Sequence, residues 1–385
     1  MKIAFIGQKG IPAISGGVER YVEDLAVRIA RLGHETIAYT RPNYTPKNLK
    51  EYQGVRLISL PSIGTKHLDA ISHTIVASID AAFRKVDVIH YQSIGPALVC
   101  WLPKLLNRHV RIVSTLQSRD YEHQKWNSFA KAMLKFGERL MCYFSDELIV
   151  ITESMKDYVL KEYGLEAMVV PNGANLYSEV TDTSLIDQWG LNHENYIVAI
   201  SRLVRHKGLG YLIEAYKQLT TDKKLVIVGD GAFTDDYVWE LKNLAKDCPN
   251  IIFTGNQING TLAQLYAHAY LFVQPSESEG LSLALLEAMS RRRAVLVSDI
   301  TENAKAVLDA GLIFKNKSVA DLKEKLQLAL NNPSLVKELG NSARQRVEQL
   351  YNWDKIALDI SAIYAKSVIP KRLFIPYKTK LVSHG

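Results

Sequence analysis

Cysteine is scarce in this chain: Cys100, Cys142 and Cys248 are isolated and odd in number among 385 residues. That excludes a disulfide framework and a cysteine-rich metal site, and it fits a reducing, cytoplasmic setting. Proline is sparse at 12 residues and no low-complexity tract occurs, so disorder is not expected. No run of 18 uninterrupted apolar residues exists, so no segment should span a membrane. The apolar stretch after Met1-Lys2 is too short for a signal peptide. Asp-x-Asp triplets, zinc-like His/Cys spacings, a Gly-x-Ser-x-Gly elbow and a Gly-Lys-Ser/Thr phosphate loop are all missing. No metal and no bound cofactor are expected.

What is present is globular: 47% apolar and 23% charged residues, in a chain long enough for two domains. The net charge of +7 fits a phosphate-bearing ligand, an anionic membrane face or nucleic acid, and cannot choose among them. Short apolar runs alternate with helical stretches, which predicts parallel sheets flanked by helices. One series of strands is expected at Lys2–Ile6, Thr36–Tyr39, Val55–Ser59, Val86–Tyr91, Val110–Thr115 and Glu147–Thr152. A second falls at Tyr196–Ser201, Lys224–Val228, Asn250–Thr254, Tyr270–Val273, Ala294–Ser298 and Gly311–Phe314. Each series should make its own doubly wound sheet, joined near Pro171-Asn172-Gly173 through a polar linker at Glu179–Ser184. Helices broken at Pro333 and Asn352 should follow, ending in a basic tail over Lys371–Lys380.

Glu279-Gly-Leu-Ser-Leu-Ala-Leu-Leu-Glu287 is the most informative stretch. It follows an apolar strand, and Ser282 is a good N-cap for a helix. Such a turn sits at the carboxyl edge of a parallel sheet, where ligands bind and first-turn N–H groups favour an anion. Glu287 lies in apolar surroundings about 7 Å further along the helix, at ~1.5 Å per residue, and needs a partner. A ligand with phosphates at one end and hydroxyls at the other suits this spacing. Ser201-Arg202 through Arg205-His206-Lys207-Gly208 follows another strand, so Arg202 and Lys207 should face the same cleft and neutralise a diphosphate. The bland alternative is a solvated basic loop.

Three further segments carry polar groups. Gly16-Gly17 closes a tight turn after the first strand, suited to close approach of a phosphate. Ser114 through His123, with Gln117, Asp120 and His123, would line the opposite wall and meet an acceptor hydroxyl, although a lone His is more often a surface residue. Over Phe129–Phe144, an apolar stripe (Phe129, Met133, Phe136, Leu140, Phe144) stands opposite a basic one (Lys131, Lys135, Arg139). The usual outcome is packing on the sheet with the basic stripe in solvent; the functional alternative is an anionic membrane or a lipid-linked acceptor.

Taken together, these segments resemble the retaining GT-B glycosyltransferases of family 4 over nearly the whole chain. The likeness rests on Gly16-Gly17-Val-Glu19, Gly33-His34-Glu35, Pro171-Asn172-Gly173, Arg202-Leu203, Lys207-Gly208 and Val228-Gly229-Asp230-Gly231. Pro275-Ser276, Glu279-Gly280, Leu285 to Met289 and Asn352-Trp353 complete it. The opening Ile6 to Ala13 with Val18-Glu19-Arg20 is similar to a subgroup linked to bacterial surface polysaccharides. The resemblance implies two Rossmann-like domains across a cleft: residues 1–175 on the acceptor side, 176–355 binding a nucleotide-sugar, and 356–385 crossing back to the first domain.

It further implies donor diphosphate on Arg202 and Lys207, ribose on Glu287 and the transferred sugar on Glu279. Gly280, Leu281, Ser282 and Leu283 complete the donor site, Gly16-Gly17 close over the phosphates, and transfer needs no metal. Glu279, Arg202, Lys207 and Asp120 are then the catalytic candidates; Gln117 and His123 lie on the acceptor side. Two departures stand out. Thr115-Leu116-Gln117-Ser118 replaces the family's usual Thr-x-His-Gly, and Gly280-Leu281-Ser282-Leu283-Ala284 replaces Gly-Phe-Gly-Leu-Pro. Gln can hydrogen-bond a hydroxyl but cannot act as an ionisable base.

The expected activity is retaining transfer of a sugar from a nucleotide-diphosphate-sugar to a saccharide or lipid-linked acceptor, in cell-surface polysaccharide synthesis. A peripheral position at the inner face of the plasma membrane would be compatible, with no nucleic acid partner. A nucleotide-sugar epimerase of the same architecture and a non-catalytic basic binding module are the rivals. An NAD-linked oxidoreductase would require a Gly-x-Gly-x-x-Gly turn, which is not evident.

Overall fold

The protein is described by a computed structural model covering residues 1–14, 16–65, 68–119, 121, 128–231 and 234–368. Asp120, His123 and the basic tail lie outside the described residues.

The first sheet contains β1 (Lys2–Ile6), β2 (Glu35–Thr40), β3 (Glu51–Tyr52), β4 (Val55–Ser59), β5 (Val88–Gln92), β6 (Arg111–Leu116), β7 (Glu147–Val150) and β8 (Met168–Val169). Their order is β3-β4-β2-β1-β5-β6-β7-β8, parallel except for β3 against β4. The second sheet contains β9 (Tyr196–Ile200), β10 (Lys224–Val228), β11 (Ile251–Gly255), β12 (Leu271–Gln274), β13 (Ala294–Ser298) and β14 (Leu312–Phe314). It is parallel throughout, in the order β11-β10-β9-β12-β13-β14. All twelve expected strands are present, shifted by two residues at most. The two missed strands, β3 and β8, are two residues long and too short to show periodicity.

Both faces of each sheet are covered, so the central strands are apolar without alternation. Ile3, Ala4, Phe5 and Ile6 in β1 are all fully buried. Right-handed crossovers put α1 (Gly17–Arg31) on one face of the first sheet. On the other lie α2 (Asp69–Phe83), α3 (Ile94–Ala97), α4 (Leu102–Leu106), α5 (Ser128–Phe144) and α6 (Glu153–Tyr163). The second sheet carries α7 (Leu209–Tyr216), α8 (Asp235–Ala245), α9 (Asn259–Ala267), α10 (Leu283–Ser290), α11 (Thr301–Val307), α12 (Val319–Asn331) and α13 (Pro333–Leu350).

The last helix, α14 (Trp353–Val368), returns to the first unit and packs against α1 and β6. Trp353 is buried there edge-on to Tyr21, with ring centroids 5.3 Å apart. Tyr364 meets the buried His90 imidazole at 2.7 Å, and Thr115 holds the other ring nitrogen at 2.7 Å. Where the chain crosses between the units, its outgoing and returning passes touch: the Ala174 N–H donates to the Tyr351 carbonyl at 2.8 Å.

One expectation is overturned. Four of the five residues in the apolar stripe of α5 stay out of the core: Phe129 is 75% exposed and Phe136 51%, and Met133 and Phe144 are exposed as well, while Leu140 alone packs against it. Gly137, Glu138, Met141 and Cys142 face inward instead. Gly137 makes this possible, because any Cβ there would lie 2.8 Å from the Ile94 carbonyl oxygen and 3.0 Å from Leu98. A helix that presents its smallest residue to α3 must turn its aromatic ones elsewhere.

Candidate active site between the two sheets

Strand order in the second sheet reverses between β9 and β12, so the loops after these two strands flank a crevice at their carboxyl ends. After β9 come Arg202 and a short turn, Arg205–Lys207, closed by Gly208 at φ 66°. A Cβ on Gly208 would sit 2.0 Å from the Pro275 carbonyl oxygen, so only glycine lets this turn lie against the loop after β12. That contact sets Lys207 beside Glu279. The Lys207 Nζ donates to Glu279 Oε1 at 2.5 Å, and Ser276 Oγ donates to the same oxygen at 2.6 Å. Burial alone would raise the Glu279 carboxyl; the charge and hydrogen bond of Lys207, helped by Ser276 and His206, hold it below the usual carboxylate range.

Ser282 caps α10 as expected, accepting from the Leu285 N–H at 3.4 Å while its hydroxyl donates to Gln274 at 2.6 Å. Arg202 is exposed at the rim with no side-chain partner among the described residues. A cavity of about 170 Å³ runs between the two units here. Arg202, His206, Lys207, Ser278, Glu279 and Gly280 line one wall, and Ser118, Arg119, Ser154 and Met155 the other, with Glu302 from α11 beside them. Of its cations Lys207 is held in place and largely shielded from solvent, where it acts more strongly on an anion than at an open surface, while Arg202 reaches in from the rim.

Of the candidate residues, Arg202, Lys207, Glu279 and Gly280 therefore share one hollow. Gln117 is buried outside it: its side chain donates to Gln92 at 3.2 Å, and its carbonyl oxygen lies 2.6 Å from where a Cβ on Gly280 would be. Leu281 is tied across the interface, its carbonyl accepting from Asn172 Nδ2 at 2.6 Å. Gly16 caps α1, and Gly17 faces Leu283, whose side chain lies 3.9 Å from the Cβ that Gly17 lacks.

Glu287 does not line the cavity; it sits further down α10. Its partner is Arg20 of α1, with the guanidinium 3.8 Å from Oε1 across the interface. Burial raises the Glu287 carboxyl, while Arg20 and Arg291 pull it back and Asp24 adds to the rise. The partner that Glu287 was expected to need thus comes from the other half of the molecule.

Ser118 and Arg119 lie on the opposite wall, as expected of the segment Ser114 through His123; sequence reasoning missed Arg20 as a partner, and Ser154 and Glu302 altogether. Ser154 Oγ donates to Glu302 Oε1 at 3.1 Å, bridging α6 and α11. Both residues follow strands, β7 and β13, at the carboxyl edges of their sheets. The edge rule that singled out Lys207 also points to them.

Comparison with known proteins settles the family. The model described as "Glycosyl transferases group 1" matches residues 182–346, and that described as "Glycosyltransferase Family 4" matches residues 15–177. The chain is a group 1 glycosyltransferase. Alpha-monoglucosyldiacylglycerol synthase of Streptococcus pneumoniae is 24% identical over 77% of this glycosyltransferase and 70% of that protein. Sucrose-phosphate synthase from Thermosynechococcus elongatus superposes with a TM-score of 0.82 at 23% identity, covering 95% of this chain and 98% of that one. Anabaena HepE in complex with UDP-glucose gives 0.80 at 19% identity, covering 95% and 100%. The structural likenesses establish the GT-B fold, two Rossmann-like units facing each other, and the two family models establish a glycosyltransferase.

Proposed function

We propose that this glycosyltransferase moves a sugar, with retention and without a divalent metal, onto a saccharide or lipid-linked acceptor in cell-surface polysaccharide synthesis. The observation that carries the reading is the convergence of Arg202, Lys207 and Glu279 at the switch point of the second sheet. Arg202 and Lys207 would take the diphosphate oxygens, with the capped start of α10 behind them. Glu279, already held ionised by Lys207, would accept from the transferred sugar's hydroxyls, and Glu287 from the ribose. The lipid alternative among acceptors is supported by the pneumococcal relative, a glucosyldiacylglycerol synthase by name.

In the reaction the bond from the sugar C1 to the β-phosphate oxygen breaks. The acceptor oxygen bonds to C1 on the same face, and the acceptor proton passes to the departing phosphate oxygen. Closure of the two units shields the developing cation from water. Asp120 would act on the acceptor side, while Gln117, buried against Gln92, would support the wall behind it.

The test is turnover of a panel of nucleotide-sugars with simple acceptors, the product anomer read by NMR. Retained configuration and an undiminished rate in EDTA are expected; an inverted product or loss of rate on chelation overturns the corresponding part. A second expectation concerns Arg20. Removing it leaves Glu287 buried with weaker support for its charge, so Arg20→Ala should raise the donor KM about tenfold, equivalent to ~1.4 kcal/mol. The change in kcat should be smaller. An unchanged KM in initial-rate kinetics would detach Arg20 from donor binding.

A further inference from the structure

We infer that the outward face of α5, with the neighbouring face of α2 and α4, docks this glycosyltransferase onto an anionic phospholipid bilayer. Phe129, Met133, Phe136 and Tyr143 recur at helical spacing on one side of α5, and Tyr143 is 82% exposed. Monomeric proteins rarely leave so contiguous an aromatic strip in water. The strip has a basic border: Lys135 and Arg139 are exposed beside it. The helix has a single acid, Glu138, and it is buried inward where Tyr158 and Tyr163 donate to it at 2.7 Å and 2.6 Å. The exposed half of α5 is therefore aromatic and cationic, the composition of a helix that lies in a lipid interface. The one acid paired with it among the described residues is Glu162 of α6, a loose surface contact 3.7 Å from Lys135, and Arg139 stands beside it as a second cation.

Next to it on the same side of the sheet, α2 and α4 expose Phe83 at 71% and Leu105 at 72%. No described helix is long and apolar enough to cross a membrane, so attachment would be to the surface. A second copy of the chain fits this face less well, because a two-fold contact through α5 would set Lys135 and Arg139 against their own counterparts. The inner side of α5 is held to α6 through Glu138 with Tyr158 and Tyr163, and α6 carries Ser154 and Met155 of the cavity wall. The docked face thus adjoins the acceptor side of the cleft, and a lipid-anchored acceptor would be presented there. That last step rests on the transferase reading; the docking does not.

The experiment is co-sedimentation of the full chain with vesicles of phosphatidylcholine, with and without phosphatidylglycerol. Binding to the anionic vesicles at least about tenfold stronger than to neutral ones is expected. Phe129→Ser with Phe136→Ser should weaken it by about tenfold or more, and Lys135→Glu with Arg139→Glu should remove the preference for the anionic lipid. All four side chains are exposed. The one described ion pair among them, Lys135 with Glu162 at 3.7 Å, is a surface pair worth little. In both variants thermal melting should therefore change only slightly, and transfer to a water-soluble acceptor should stay at the wild-type value. No binding to anionic vesicles, or full binding by the doubly serine-substituted protein, overturns the inference. So does a concentration-dependent dimer abolished by the serine substitutions, which would give the face to a second copy. Failure of sugar turnover with vesicle binding intact would instead sink the proposed reaction and leave the docking standing.

Discussion

Lys207→Ala is expected to abolish sugar transfer and to lower the melting temperature at the same time. Loss of one fixed donor to a departing oxyanion costs about 10²–10³ in rate, and Lys207 would serve the diphosphate directly. Unlike a rim lysine, it is also the partner of a nearly buried carboxylate, with side-chain exposures of 14% for Lys207 and 9% for Glu279. Stripping the cation leaves Glu279 charged in a poorly solvated place, a loss of about 3 kcal/mol or more.

Glu279→Gln separates the two effects. The amide still accepts from Lys207 and Ser276 but carries no charge, so melting should fall less while transfer remains impaired. Thermal unfolding and kcat/KM measured on both variants decide the matter. Wild-type turnover in Lys207→Ala would remove the cavity from the chemistry.

The second large effect is on stability in acid. His90 and His73 are both buried in the first unit. Burial holds His90 down at about 3; burial, with Arg41 nearby, holds His73 at about 4. An unfolded histidine takes its proton near pH 6.5. Folded values below the unfolded one mean that this contribution is complete above pH 6.5 and is lost as pH falls, by about 1.4 kcal/mol per unit for each histidine. Two units down, the pair together costs roughly 5 kcal/mol, comparable to the whole stability of many domains. Urea unfolding at pH 7.0, 5.5 and 4.5 should show that slope, and His90→Gln should remove about half of it. An identical slope in the variant would mean that the acid loss arises elsewhere.

Much of the fold was legible because buried parallel strands read as unbroken apolar runs, and two series of them could only make two sheets. The turn at Ser282 was legible for a local reason: capping is decided by residues within one helical turn. Lys207 was placed correctly because the strand before it fixes which edge it occupies. What the sequence could not supply is the pairing of groups distant along the chain. Nothing near Glu287 names Arg20 as its partner, and nothing near Ser154 names Glu302, since each pair forms only when the two units meet. The orientation of α5 failed differently. Periodicity reveals a stripe, but which side faces the sheet was decided by Gly137 against Ile94, a steric contact that hydrophobicity does not register.

The touching passes of chain at Ala174 and Tyr351, with Trp353 seated beyond them, mean that neither half is a self-sufficient folding unit. Expressing residues 1–175 alone would open a groove over Tyr21 and His90 that the missing helix fills. A protease nick in the linker at 179–184 would therefore not release two separate pieces: the severed fragments would stay clasped through α14 and co-elute.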